Sequence, residues 1–306
     1  MTFPEIYLPS ATVTNSTLSE ITGKEEGWFE KRTGIVERRR ASSKETTASL
    51  GIKAVEKIKD KLNGIDLIIA ATCTPCDTVG AIGYRIQKHF NIENAKVLNI
   101  STACSSMLNA VELAQQFLIT ESASKVLVIC AEMNSYYSCD SDIMGGHLWG
   151  DAAGAFIMSY EAEGSRLVTC FSEGLGHIGE GPNGVYLQPK GTGMTMNKGR
   201  DVFYYACNYM KYACEKVLTT SSLTIEDIDY IIPHQANQRI IDRLIEDMDL
   251  PREKVISCIR NIGNTGSAST LVAMSLNRDA FKSGDKILFT VFGGGYSTGS
   301  MIVELN

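Results

Sequence analysis

The run LNISTACSSMLNAVELAQQFL, residues 98–118, opens as an apolar β-type stretch, passes through a knot of small residues around Cys104, and turns helical. Apolar residues recur after the knot at Met107, Leu108, Val111, Ala114, Phe117 and Leu118, the spacing of one helix face. A helix is therefore predicted to begin at or just after Cys104. Backbone N–H groups at a helix start lack intrahelical partners and the dipole there favours negative charge, so a cysteine so placed is expected to lean toward the nucleophilic thiolate. Ser101, Thr102, Ser105 and Ser106 suit caps and a tight turn. Free cysteines are also common core residues, and position alone does not separate the two roles.

Outward from this run, the chain repeats itself. GIDLIIAATCTP (64–75) and DIDYIIPHQAN (227–237) each enter a short buried strand from an acidic residue and leave it through a polar turn. KVLVICAE (125–132) and KILFTVFGG (286–294) each follow a lysine with a β-rich apolar run. The first pair is offset by 163 residues and the second by 161. Between the members of each set lies a small-residue knot opening an apolar helix, STACSSMLNAVELA in the first and GNTGSASTLVAMSL in the second. Three matched elements in one order at nearly one offset predict two pseudo-repeated halves, 1–160 and 161–306, built on a shared β-α-β plan. Strands that read as continuous apolar runs and alternate with helices predict an α/β fold of mixed, mainly parallel sheets layered between helices. Functional groups in such folds gather at loops beyond the carboxyl ends of strands. Cys104 belongs to such a loop in the first half, and His234 and Asn264 to such loops in the second.

Composition narrows the function. The 306 residues are 44% hydrophobic and 21% charged with a formal net charge of −6, an ordinary globular balance that argues against nucleic-acid binding through an overall basic field. No apolar run reaches bilayer-spanning length, and MTFPEIYLPS lacks a charged region followed by an apolar one, so a cytoplasmic protein without membrane association is expected. Nine cysteines at irregular spacing are then expected to be reduced thiols. Only Cys73 and Cys76 have a redox or metal spacing, there is no second such pair, and the four histidines are scattered, so no metal or redox cofactor is expected.

Cysteine, histidine and asparagine form a chemical set. A cysteine thiolate takes an acyl group from a thioester in a nearly isoenergetic exchange, and the acyl-cysteine is a stored electrophile. An imidazole N–H and an amide N–H are neutral donors able to hold a developing oxyanion in a dry site. Such donors suit decarboxylation of a malonyl thioester, in which an enolate must be stabilised.

The segments STACSS (101–106), PHQANQRIID (233–242) and NIGNTGSAS (261–269) resemble the three active-site motifs of the class III β-ketoacyl-acyl-carrier-protein synthases, members of the thiolase fold. WFEKRTGIVERRRA (28–41), LWGDAAGAFIM (148–158), MNKGRDVFYYA (196–206) and FGGGYSTGS (292–300) match as supporting blocks, so the resemblance spans nearly the whole chain. It implies that Cys104 is acylated by an acyl-CoA, that His234 and Asn264 promote decarboxylation of a malonyl thioester on acyl carrier protein, and that the Cys104 and Gly294 N–H groups form the oxyanion hole. It further implies CoA contacts by Trp28, Arg32 and Arg239, a homodimer, and no cofactor beyond the substrates. The five basic residues between Lys31 and Arg40 are expected to favour an anionic ligand locally.

The chain departs from the family pattern in three places. Val79 stands where common bacterial members carry a phenylalanine that closes the acyl pocket across the dimer interface, which implies a starter longer or bulkier than acetyl. Tyr204, Glu246 and Asp247 stand where carrier-docking basic residues are usual, and two carboxylates there would repel an acidic carrier helix. No arginine occurs between residues 86 and 165, so one usual in the CoA-binding loop is missing. Docking through Arg38, Arg39 and Arg40, or a CoA thioester or β-keto acid as acceptor in secondary metabolism or cofactor synthesis, are the alternatives these departures raise. A thiolase would need a second cysteine in FGGGYSTGS, and a hydroxymethylglutaryl-CoA synthase a catalytic glutamate, which is not placed. A papain-like hydrolase also orders Cys, His and Asn this way, with His234 lying 130 residues after Cys104, but would carry its nucleophile near the domain start. A non-catalytic subunit of the fold is disfavoured because all three positions are filled.

Overall fold

The computed structural model describes residues 1–161, 163–188 and 193–306. After strand β1 (Glu5–Tyr7), a ribbon of β2 (Ala11–Thr14) and β3 (Glu37–Arg40) encloses helices α1 (Asn15–Thr22) and α2 (Glu26–Thr33). The chain then runs through α3 (Thr47–Glu56), β4 (Leu67–Ala71), α4 (Ile82–His89), β5 (Lys96–Ile100), α5 (Ser106–Ile119), β6 (Val126–Met133), the single turn α6 (Asn134–Tyr137) and β7 (Asp151–Met158). There follow β8 (Ser165–Gly174), the antiparallel pair β9 (Tyr186–Gln188) and β10 (Gly193–Thr195), α7 (Gly199–Ser221), β11 (Tyr230–Pro233), α8 (Gln238–Asp247), α9 (Ile259–Ile262), α10 (Ser269–Leu276), β12 (Lys286–Gly293) and β13 (Ser297–Leu305).

The repeat read from the sequence is present in the topology. One sheet has the order β1-β7-β6-β4-β5 and the other β8-β13-β12-β11. In both, one parallel pair, β4 with β6 and β11 with β12, is followed outward by two antiparallel pairings. Where β5 adds a fifth strand to the first sheet, the second sheet has one parallel bridge, Ile231 to Val255.

Both sheets are thus mixed, but parallel pairing does not dominate as expected. Burial on both faces makes a strand read as a continuous apolar run whatever the direction of its neighbour. The three residues Gly294–Tyr296 that join β12 to β13 allow only an antiparallel return.

Helices α5 and α10 lie between the sheets, in a core that draws Leu67, Val128 and Phe156 from one sheet and Phe289, Val291 and Met301 from the other. The helix face predicted after Cys104 is the buried one: Met107, Leu108, Val111, Ala114 and Leu118 lie inside, with Phe117 half-buried. Helices α3 and α4 cover the outer face of the first sheet, and α7 and α8 that of the second, completing five layers. This is the thiolase fold. Among the described residues no helix is long and apolar enough to cross a membrane.

Strand β3 corrects one expectation. Alternation along the ribbon turns Arg38 and Arg40 inward: Arg38 is fully buried and donates to the His147 carbonyl at 2.8 Å and to Asn15 Oδ1 at 2.7 Å, while Arg40 pairs with Asp140. These side chains hold the ribbon to the body and offer no basic patch for an anionic ligand or a carrier.

Candidate active site

The knot of small residues forms a 3₁₀ turn, Ala103–Ser105, that feeds directly into α5. The serines brace this turn. Thr102 N–H donates to Ser106 Oγ at 2.8 Å, Ser105 Oγ donates to the Thr102 carbonyl at 2.7 Å, and Ser105 and Ser297 share a 2.7 Å hydroxyl contact. Cys104 therefore sits at the predicted place, but not in the predicted protonation state. Burial first, and then the charge of Glu132, push its thiol up to about 12, against the pull of the Gly294 and Cys104 N–H groups. Burial and the neighbouring carboxylate thus favour the thiol form of Cys104.

His234 follows the last residue of β11, with its N–H bonded to the Thr290 carbonyl at 2.8 Å. Its ring is buried, which pushes its pKa down to about 4 and keeps it neutral at neutral pH. Nδ1 lies 2.6 Å from the hydroxyl of Ser269, the first residue of α10. A hydroxyl donating there leaves the ring proton on Nε2.

Asn264 is held by its backbone across the two halves: its N–H donates to the Leu148 carbonyl at 2.8 Å, and its carbonyl accepts from Gly150 N–H at 2.9 Å and Asn134 Nδ2 at 3.2 Å. Its Oδ1 accepts from Gly266 N–H at 2.9 Å, and Nδ2 has no protein acceptor among the described residues. The amide thus presents donors.

Cys104, His234 and Asn264 line a single cavity of about 1020 Å³. Gly293 and Gly294 also line it, and the close approach of the backbone at Gly293 requires glycine: a Cβ there would lie 2.8 Å from Ser297 Oγ and 3.0 Å from Ser105 N. Leu187, Met194, Ala206, Met210 and Phe292 supply apolar walls suited to an acyl chain. Trp28, Arg32 and Arg239 border the same cavity. The Arg32 guanidinium lies 4.3 Å from the Trp28 ring centroid, and the exposed Arg239 lies over Phe203 at 5.6 Å. Val79 is 88% exposed on the loop after β4 and does not line the cavity of its own chain. Among the described residues no group of histidine, cysteine, aspartate and glutamate is arranged to hold a metal ion.

Sequence reasoning missed Glu132, the buried carboxylate near the end of β6 that the Cys104 thiol senses, and Ser269, the partner of His234. An acid between Ala131 and Met133, inside an otherwise apolar strand, was the available signal for the first.

The family model for 3-oxoacyl-acyl-carrier-protein (ACP) synthase III matches residues 98–174, and that for the C-terminal part of the same synthase matches residues 218–305. A β-ketoacyl-acyl-carrier-protein synthase III of Bacillus anthracis is 34% identical over 304 residues, covering 97% of this chain and 96% of that protein. The chain belongs to the 3-oxoacyl-acyl-carrier-protein synthase III family. The crystal structure of a synthase III from Thermus thermophilus superposes with a TM-score of 0.92 at 30% identity, covering 99% of this chain and 98% of that one. The synthase III structure from Aquifex aeolicus gives 0.91 at 31% identity, covering 98% of each chain. The resemblance read from the motifs is thereby borne out, and with it the thiolase fold and the assignment as an acyl-transferring condensing enzyme.

Proposed function

We propose that this synthase III joins an acyl group delivered by CoA to a malonyl thioester on acyl carrier protein, releasing CO₂ and giving a β-ketoacyl product for fatty acid biosynthesis. The convergence of Cys104, a neutral His234 and the Asn264 amide on one cavity carries the reading. Cys104 sulfur attacks the acyl-CoA carbonyl, CoA leaves, and the thiol proton ends on the departing sulfur. The N–H groups of Cys104 and Gly294 hold the carbonyl oxygen as it becomes an oxyanion. In the second half-reaction the bond from the malonyl carbon to its carboxylate breaks. The electron pair forms an enolate whose oxygen is held by His234 Nε2–H and Asn264 Nδ2–H. That carbon attacks the acyl-cysteine, and the Cys104 sulfur leaves and regains a proton.

Trp28, Arg32 and Arg239 are proposed to bind the nucleotide end of CoA, using an aromatic face and two cations at the cavity border. The working unit is proposed to be a cytoplasmic homodimer without cofactor, in which Val79 borders the acyl pocket of the partner. Within each chain the halves 1–160 and 161–306 contribute the nucleophile and the decarboxylation donors respectively.

The acceptor has a second reading, favoured by the exposed Glu246 and by Tyr204, which is 62% exposed. Neither surface residue attracts an acidic carrier, which makes malonyl-CoA the rival acceptor. Intact mass of the protein after acyl-CoA treatment, followed by malonyl-carrier or malonyl-CoA, tests both readings. An acyl adduct on Cys104 that malonyl-carrier discharges as β-ketoacyl product is expected; discharge as free acid in water alone would indicate a hydrolase.

A further inference from the structure

Glu132 is fully buried, and none of the steps above uses it. Every polar contact of its carboxylate is with a donor. Oε1 receives Ser267 Oγ at 2.6 Å; Oε2 receives Thr72 Oγ1 at 3.1 Å, Thr74 N–H at 3.1 Å, Thr74 Oγ1 at 2.6 Å and Cys73 Sγ at 3.4 Å; Cys73 N–H lies 3.1 Å from both oxygens. The Cys73 and Thr74 N–H groups can only donate, so the carboxylate accepts from both, and the hydroxyls of Ser267, Thr72 and Thr74 complete its shell. Burial raises its pKa above the ordinary carboxylate range, and the bonds from Ser267, Thr74 and Cys73 oppose that rise.

The donors come from two places distant in sequence. Thr72 to Thr74 leave β4 in the first half, and Ser267 lies in the turn Gly266–Ala268 of the second. That turn separates Asn264 from Ser269, the partner of His234. The backbone at Gly266, whose N–H holds Asn264 Oδ1, passes so close that a Cβ there would lie 2.9 Å from Glu132 Cγ. Two residues after Glu132, Asn134 grips the Asn264 carbonyl.

We propose that Glu132 is a positioning residue: its carboxylate clamps the end of β4 to Ser267 and so fixes Asn264 and the Ser269-held ring of His234 in register with Cys104. It acts through these groups and touches no reacting atom. The proposal rests on the decarboxylation reading above.

The test uses Glu132→Gln and Ser267→Ala in the full-length protein, with decarboxylation of malonyl-CoA and the pH profile of Cys104 alkylation by iodoacetamide as readouts. Glu132→Gln is expected to lower kcat for decarboxylation by about 10- to 100-fold, the usual effect of a small misalignment, with little change in KM. It is also expected to move the alkylation profile to lower pH, because a negative charge beside the thiol is gone; the loss in kcat at an unchanged KM is the readout that a merely structural role would not give. Ser267→Ala is expected to lower kcat less and to leave the profile unmoved. A folded Glu132→Gln protein with wild-type decarboxylation overturns the proposal. If that variant fails to fold, undiminished decarboxylation by Ser267→Ala overturns it instead. A wild-type protein that acylates Cys104 but releases no CO₂ counts against the functional reading, whereas an unshifted alkylation profile in Glu132→Gln counts against the role of Glu132.

Discussion

Ala103 and Gly266 stand at matching points of the two halves, each opening the 3₁₀ turn before a central helix, and both have positive φ, +51° and +56°. Glycine takes this conformation freely, whereas alanine holds it at a cost on the order of 1 kcal/mol. The strain in the first half therefore falls on the residue just before Cys104. Replacing Gly266 by Ala adds that strain and drives a Cβ to 2.9 Å from Glu132 Cγ, in a wall with no room to yield. Gly266→Ala is expected to lower the free energy of unfolding by about 2–3 kcal/mol, measured by urea denaturation. Ala103→Gly is expected to change stability by less than about 1 kcal/mol, since relief of strain is offset by greater freedom of the unfolded chain. A larger loss in Ala103→Gly than in Gly266→Ala would contradict this account.

Acid stability follows from two buried imidazoles. Burial pushes His234 and His147 from 6.5 down to about 4, and the Arg38 guanidinium adds to the effect on His147. Below 6.5 the unfolded chain takes up protons that the folded chain refuses, so the contribution to stability is complete above about 6.5 and is lost as pH falls through about 4. Each imidazole accounts for roughly 3 kcal/mol of this dependence. Denaturant midpoints measured from pH 7 to pH 4 should fall, and more shallowly in His147→Phe. Equal slopes in the wild type and His147→Phe would exclude His147 as a contributor.

Much of this was legible because strands and helices that carry a site keep their own periodicity. The apolar face after Cys104 marks α5, and the matched knot GNTGSAST marks α10, so the sequence alone places the two central helices and the residues at their starts. His234 stood out as a polar residue at the end of an apolar strand. What stayed hidden depends on contacts between distant segments. The donors of Glu132 lie about sixty residues before it and 135 after it, which no local pattern reports. The protonation of Cys104 was misread because the partial charge of a helix start is weaker than burial combined with a neighbouring carboxylate. The arginines of β3 read as a charged surface because a strand of four residues is too short for its alternation to be recognised.

The two half-reactions should separate by mutation. Cys104→Ser is expected to abolish the thioester adduct. His234→Ala and Asn264→Ala are expected to retain acylation of Cys104 while decarboxylation and condensation fall by about 100- to 1000-fold, the usual effect of removing one oxyanion donor. Intact mass after acyl-CoA and release of CO₂ from malonyl thioester measure the two steps. If His234→Ala lost acylation to the same extent as decarboxylation, the imidazole would be acting on Cys104 and not on the enolate.

Val79 bears on the starter. It is 88% exposed and lies outside the cavity of its own chain, so any influence on the acyl pocket must be exerted on a partner subunit. A valine fills less of such a pocket than an aromatic ring, and each buried methylene of a longer acyl chain would gain about 0.8 kcal/mol where room exists. Acylation of Cys104 is therefore expected to favour a starter longer or bulkier than acetyl, and Val79→Phe to shift the preference toward acetyl with little change in decarboxylation of malonyl thioester. Competition between acetyl-CoA and medium-chain acyl-CoAs, scored by adduct mass, checks both statements. Acetyl prevailing in the wild type would rule out a widened pocket. An unchanged preference in dimeric Val79→Phe would place the residue away from the acyl chain.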